Sequence, residues 1–254
     1  MVYFVGAGPG DVELITVKGQ KLISSADCII YAGSLINPAL LQGAKGGCQL
    51  YDSAAMTLEE VTAIMVRNEE RGMVTVRLHT GDPGIYGAIK EQIDILMQWG
   101  IAFEIIPGVS SFSGAAAVLG VEYTLPGVSQ TVILTRMEGR TPVPEKESIP
   151  ELAKIGASMA IFLSSGMLRE LSDKLMSGGY SQNTPAAIVY KATWPDERII
   201  KTTVGRLPDD GAANNISKTA IILVGGFLDG KYERSRLYDP GFSHGYRKGD
   251  SDIE

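Results

Sequence analysis

Three glycine-rich turns, each following a run that reads as a β-strand, are the parts of this chain best placed to do chemistry. They are Gly6-Ala7-Gly8-Pro9-Gly10-Asp11, Thr80-Gly81-Asp82-Pro83-Gly84 and Pro107-Gly108-Val109-Ser110-Ser111. Glycine lets the backbone turn sharply and lets a ligand approach the main chain. In an open α/β sheet, ligands gather at the carboxyl ends of the strands. One such turn would be an ordinary strand-to-helix connection; all three together point to one small-molecule site. Within the second turn, Asp82 is acceptor-only when ionised and suits a hydroxyl or ammonium partner. Its alternative role is to cap a following helix, with Pro83 in the first helical turn.

The elements that must position these turns alternate in type. Residues 2–5, 28–31, 73–79 and 103–106 read as strands, and 16–25, 57–70, 85–99 and 109–119 as helices. The helix over 57–70 carries the clearest signal: Thr57 and Glu60 form a capping-box pair, and Leu58, Val61, Ile64 and Met65 make an apolar stripe. Repeated βα order implies a mainly parallel sheet covered by helices. Pro126-Gly127 then interrupts regular structure. Beyond it, 131–135, 159–164, 186–190, 198–204 and 219–224 read as strands, and 149–155 and 167–177 as helices, with a charged loop over 136–147. The alternation over 198–204 suits an antiparallel pair with its neighbour. The expected organisation is an N-terminal α/β domain over 1–126, a C-terminal α/β domain over 127–228 and a polar, partly extended tail over 229–254. Two α/β domains leave a cleft between them where a cofactor commonly binds.

Composition narrows the function classes. The apolar fraction of 44% and charged fraction of 20% are those of a soluble globular protein. A net charge of −6 argues against a surface for nucleic acid, whose partners usually present a basic face. Cys28 and Cys48 form no CxxC pattern, so neither a metal site nor a redox motif is expected, and two lone thiols fit a reducing compartment. The N-terminus lacks the basic start and apolar stretch of a signal peptide, and no apolar run is long enough to span a bilayer. A cytoplasmic protein with no membrane partner is the expectation. A dinucleotide site is a runner-up only, because Asp11 stands where GxGxxG requires its third glycine and Pro9 removes a backbone donor.

The motifs carry a more specific resemblance. VYFVGAGPGDVELITVKG over residues 2–19, Gly81-Asp82-Pro83-Gly84-Ile85-Tyr86-Gly87 and Pro107-Gly108-Val109-Ser110 resemble, in order and spacing, the motifs of the tetrapyrrole methyltransferases, which use S-adenosyl-L-methionine. Tyr31-Ala32-Gly33-Ser34-Leu35, the run from Ile133 to Pro142, Val189-Tyr190-Lys191-Ala192-Thr193-Trp194-Pro195-Asp196-Glu197 and the tail run from Leu237 to Arg247 resemble the precorrin-4 methyltransferases within that family. The resemblance implies two α/β domains with the cofactor in the cleft, a homodimer, and methylation of carbon 11 of precorrin-4 or cobalt-precorrin-4 in cobalamin synthesis. S-adenosyl-L-homocysteine would be the product of the donor.

Carried over residue by residue, cofactor contacts fall on Pro9, Thr80, Gly81, Asp82, Ile85, Ser110 and Ser111, and in the second domain on Leu163, Ala192, Thr219 and Ala220. Related uroporphyrinogen methyltransferases carry an acid just after the tyrosine of the second strand; here Tyr31 is followed by Ala32 and Gly33, so no general base is carried over. His79, Tyr31 and Glu122 are candidates by position, and imidazole titrates near neutrality. Arg136, Arg140 and Lys191 are expected to meet substrate carboxylates. Trp194 suits either a flat ring or packing, and His244 and Arg247 an interface. Methylation of RNA or protein by the same fold, and a non-catalytic binding module, are the competing readings.

Overall fold

A computed structural model describes residues 1–249, which divide into two compact units. One comprises Met1–Val118 with Lys191–Arg198; the other comprises Leu119–Tyr190 and the chain from Ile199 onward.

The first unit is built on five parallel strands, β1 (Val2–Gly6), β2 (Cys28–Tyr31), β3 (Gln49–Asp52), β4 (Thr75–His79) and β5 (Phe103–Ile106), in the order β3-β2-β4-β1-β5. Both faces are covered. Val2, Phe4, Cys28 and Ile30 pack with Val61, Met65 and Leu96 on one side; Val5, Ile29, Val76 and Leu78 pack with Ile23 and Leu40 on the other. That is why the strands inside the sheet, β1, β2 and β4, read as mostly apolar runs. Helix α1 (Val17–Ser25) is capped by Thr16, and α2 (Leu58–Glu70) by the expected box: Glu60 N donates to Thr57 Oγ1 and Thr57 N to Glu60 Oε2. Helices α3 (Lys90–Gln98) and α4 (Ser111–Leu119) complete the unit.

The helix expected over 85–99 begins later, at Lys90. Before it the chain folds into a compact loop in which Tyr86 (φ 56°) and Ala88 (φ 48°) are left-handed. A Cβ on Gly87 would lie 2.1 Å from the Pro83 carbonyl oxygen, so the loop closes on itself rather than extending into helix. The edge strand β3 has no counterpart among the expected elements. Gln49, Leu50 and Asp52 are exposed, so it lacks a buried apolar run.

The second unit holds a mixed sheet: β6 (Val132–Arg136), β7 (Ser158–Phe162), β8 (Pro185–Tyr190), β9 (Arg198–Thr203) and β10 (Ala220–Val224), in the order β6-β7-β10-β8-β9. β6 and β7 are parallel, whereas β10 is antiparallel to β7 and β8. Met159, Ile161, Ile188 and Ile222 pack with Ile149 of α5 (Ile149–Ala153), Leu171 and Leu175 of α6 (Leu168–Ser177) and Leu207 of α7 (Leu207–Ala213). Helix α7 has no counterpart among the expected elements either, since Pro208 and Gly211 resemble turn residues. Gly211 faces Leu168, whose Cδ1 lies 2.2 Å from where a Cβ would be, so a side chain there would have to move that methyl.

The tail folds back on itself through residue 249. It carries one short 3₁₀ turn, Arg236–Tyr238, and Arg247 donates to the carbonyls of Leu237, Asp239 and Phe242. His244 and Arg247 therefore organise the tail itself. The expected tail over 250–254 lies outside the described residues.

Candidate active site

In the first unit the three glycine turns meet. Parallel pairing of β4, β1 and β5 brings the carboxyl ends of these strands side by side. Gly8 N donates to Gly81 O at 3.3 Å and Gly81 N to Gly8 O at 2.8 Å, while Ala7 N donates to His79 O at 2.8 Å. The approach is closer than any side chain allows: a Cβ on Gly6 would lie 2.6 Å from Gly108 Cα, and one on Gly108 would lie 2.2 Å from Gly81 O. Glycine at these positions is a packing requirement, and the expected clustering of the turns is what the backbone delivers.

Asp82 ties the junction together. Its Oδ1 accepts from Gly84 N at 2.7 Å and its Oδ2 from Gly108 N at 2.8 Å. The carboxylate thus links the second turn to the third. It caps no helix, because the next helix starts only at Lys90. Around it, Thr80 is exposed, Ile85 and Ser111 are half-buried, and Ser110 is buried where α4 begins.

The first turn is enclosed differently. Pro9 is buried, and its carbonyl accepts from Trp194 Nε1 at 2.9 Å. Gly10 O accepts from Asn37 Nδ2 at 2.8 Å, and Asp11 N donates to Thr193 Oγ1 at 2.9 Å. Trp194 therefore packs against the turn rather than standing open to a flat ligand. Ala192 is buried in the same 191–198 segment. Lys191 Nζ pairs with Asp196 at 2.6 Å and lies 5.1 Å from the centre of the Trp194 ring.

The acid–base candidates separate by environment. His79 is only 5% exposed, and its Nε2 has no hydrogen-bond partner among the described residues. Burial, reinforced by the nearby Arg77 guanidinium, pushes its pKa down to about 3. It is a neutral imidazole at physiological pH, not a group titrating near neutrality. In the unfolded chain the value returns towards 6.5. Between those two values the unfolded state binds a proton that the folded state does not, so acidification through the window favours unfolding, with a slope of up to about 1.4 kcal/mol per pH unit. Above the window the effect vanishes. His79→Gln is expected to flatten this acid limb in urea unfolding at stepped pH; an unaltered limb would show that the imidazole is not its source. Tyr31 is half-buried at the end of β2, with its carbonyl accepting from Ser53 Oγ at 2.9 Å. Glu122 lies in the second unit, exposed, accepting from Thr124 Oγ1 at 3.1 Å and lining a cavity of about 730 Å³ with Gln130, Tyr232 and Arg234.

In the second unit, one end of the sheet gathers the remaining expected positions. Leu163 follows β7, and Thr219 precedes β10, whose Ala220 pairs with Tyr190 of β8. The antiparallel register, Ile222 opposite Ile161, carries Ala220 to the level of Leu163. Leu163 (φ 53°) and Thr219 (φ 56°) are both left-handed, a strained state for branched side chains, and Leu163 is 69% exposed. Strain of this kind collects at functional sites. Arg136 ends β6 at the same level, opposite Phe162. Its guanidinium donates to the carbonyls of Met137, Thr141 and Pro142, so it shapes its own loop. Arg140, on that loop, is exposed.

Several neighbours of these positions escaped sequence reasoning. Arg77 is buried, with Nε donating to Gln92 Oε1 and Nη1 to Ile30 O, both at 3.2 Å. Gln92 Nε2 in turn donates to Ala88 O at 3.0 Å, fixing the loop before α3. An arginine at an inward position of a fully buried strand was the available signal. Asp52, at the end of the unread strand β3, pairs in register with Tyr31; its Oδ1 would lie 3.1 Å from a Cβ on Gly33. A carboxylate therefore stands at the strand end beside Ala32-Gly33. Among the described residues there is no cluster of three or more His, Cys, Asp or Glu able to hold a metal, and no helix long and apolar enough to cross a membrane.

Comparison with known proteins shows the family and the fold. The chain is 55% identical over 248 residues to the cobalt-precorrin-4 C(11)-methyltransferase of Methanocaldococcus jannaschii, covering 97% of this chain and 96% of that protein. A solved structure described as a cobalamin biosynthetic enzyme, cobalt precorrin-4 methyltransferase, is 48% identical with a TM-score of 0.88, covering 90% of this chain and 95% of that one. A uroporphyrin-III C-methyl transferase from Thermus thermophilus, complexed with S-adenyl homocysteine, shares the fold at 23% identity, with a TM-score of 0.76 over 91% of this chain and 99% of that one. The family model described as Tetrapyrrole (Corrin/Porphyrin) Methylases matches residues 1–208, and the chain belongs to that family.

Proposed function

We propose that this protein is an S-adenosyl-L-methionine-dependent methyltransferase that methylates carbon 11 of cobalt-precorrin-4. The observation that carries the reading is the near-full-length identity to a cobalt-precorrin-4 C(11)-methyltransferase. A homodimer working in the cytoplasm belongs to the same reading, and sedimentation of the purified protein tests the dimer.

The residues present fit the methyl donor. In the first unit the Gly6–Gly81–Gly108 junction bears no side chains, so main chain can approach a nucleoside or amino-acid moiety, with Thr80, Ile85 and Ser111 beside it. In the second unit Leu163 offers an exposed apolar side chain on strained backbone, suited to a ring face, next to Thr219 and Ala220. When bound, the donor supplies an electrophilic methyl on a sulfonium and is left as S-adenosyl-L-homocysteine. The protein's own tasks are alignment and water exclusion, and good alignment lowers such a barrier by about 7–11 kcal/mol. Asp82 does so indirectly, by locking two turns together. Arg140 is proposed to meet a substrate carboxylate, and Arg136 to hold the loop that carries it.

The test is incubation of the purified protein with the donor and with precorrin-4 in its cobalt-bearing and cobalt-free forms, read by mass spectrometry. Gain of one methyl on the cobalt form is expected. Methylation of the cobalt-free form alone would shift the substrate, and methyl transfer to RNA or protein with neither tetrapyrrole turned over would overturn the reading.

A further inference from the structure

We propose that Thr193 and Trp194 are positioning residues that hold the first glycine turn in its ligand-ready conformation, and that the 191–198 segment is folded to present them. The inference rests on the proposed use of that turn by the methyl donor.

Local restraint on the turn is confined to Asp11, whose Oδ1 accepts from Glu13 N and whose carbonyl accepts from Leu14 N. Residues 9–11 follow β1 with a proline, which lacks an N–H, and a glycine, which imposes little conformational preference. Yet the three backbone groups that define its course are each taken by a distant side chain: Pro9 O by Trp194, Gly10 O by Asn37 and Asp11 N by Thr193. The fit against Trp194 is tight, since a Cβ on Gly10 would lie 2.0 Å from Trp194 Cδ1. Pro9 is closed in from another side by α4, where a Cβ on Gly114 would meet Pro9 Cβ at 2.9 Å and Thr193 Cγ2 at 3.4 Å.

The segment that supplies these groups adopts an unfavourable backbone to do so. Lys191 (φ 47°) and Thr193 (φ 70°) are left-handed, and a β-branched residue there is a true outlier. Internal contacts hold it. Trp194 N donates to Lys191 O and Glu197 N to Trp194 O, both at 3.0 Å. Thr193 N donates to Glu197 Oε2 at 2.5 Å. The Lys191–Asp196 pair sets an ammonium near the Trp194 ring, an attractive arrangement. Strain maintained by this many contacts, and directed at one turn, indicates a device for shaping that turn. Lys191 is thereby placed where it steadies Trp194.

The experiment compares Trp194→Phe, Thr193→Val and Thr193→Ser with wild type. Phenylalanine keeps a ring against Gly10 but loses the donor to Pro9 O. Valine keeps the shape but loses the acceptor for Asp11 N, and serine restores it. S-adenosyl-L-homocysteine binding is measured by calorimetry, and amide hydrogen exchange is followed over residues 6–11. Loss of one such bond is expected to weaken binding up to about 10-fold in the phenylalanine and valine variants. Exchange should accelerate at the turn, with the strands unchanged, KM for the donor raised and kcat within about two-fold; serine should recover most of the loss. Unaltered affinity and unaltered turn exchange in both variants would overturn the proposal, as would loss of protection spread evenly over the unit, the mark of a general brace. If Trp194→Phe fails to fold, the valine–serine pair decides alone. If wild type does not bind the probe, the functional reading fails, and the exchange data still decide whether the segment positions the turn.

Discussion

Gly108→Ala is expected to lower kcat/KM by about 100-fold and to destabilise the protein by about 1–3 kcal/mol. The added methyl would lie 2.2 Å from Gly81 O and 2.8 Å from Gly6 Cα, and both are backbone atoms of strand ends that cannot rotate aside. The only relief is to separate β5 from β1 or to push the second turn outwards. Either displaces Thr80 and Asp82 by a large fraction of an ångström, the scale on which alignment is lost. Gly108 is not left-handed, so the penalty is steric and not one of backbone preference. Gly46→Ala is the matched control, having nothing within 4 Å of the added atom. Urea unfolding and donor calorimetry on the two variants, side by side, check the claim. A Gly108→Ala protein as stable and as tight-binding as the control would mean that the three turns are not a rigid junction.

Asp82→Ala is expected to cost about 2 kcal/mol of stability and to weaken donor binding about 10-fold. A hydrogen bond to a charged acceptor contributes about 1.5–3 kcal/mol, and two are lost here. Gly84 is exposed, so water replaces its partner and the total falls below the simple sum. The Gly108 N–H, half-buried, loses more. Asp82→Asn separates charge from geometry. An amide can accept from one of the two N–H groups but turns its own NH2 towards the other, so the asparagine variant should resemble alanine more than wild type. Chemical denaturation reports the stability and calorimetry the affinity. Wild-type affinity in both variants would leave Asp82 a local loop fastener with no bearing on ligand.

Much of this was legible before any coordinates. Residues 2–5 and 28–31 read as strands because parallel strands buried on both faces need continuous apolar runs, 103–106 forms the expected strand at a partly exposed edge, and the Thr57–Glu60 box announced α2 to within a residue. Their failures share a cause. β3 is an exposed edge held by its pairing to β2, and α7 carries a glycine where the Leu168 methyl from α6 packs against it. In the loop before α3, Tyr86 and Ala88 are left-handed without being glycine, and Ala88 O accepts from Gln92 Nε2. β3 and α7 are settled by neighbours distant in sequence, and the loop by a backbone state that non-glycine residues rarely adopt; local pattern reports neither.

The same division runs through the site. By itself the chain determined the glycines, their order and their places after strands, since close backbone approach tolerates no other residue. It also marked the motifs that align it with the tetrapyrrole methylases. Only the tertiary structure decided that Asp82 fastens two turns instead of capping a helix, that His79 is sealed in as a neutral imidazole, that Arg136 holds its own loop, and that Trp194 serves the turn at Pro9. Roles of that kind depend on which polar groups are left near one another once water has been excluded, and that is a property of packing in three dimensions rather than of spacing along the chain.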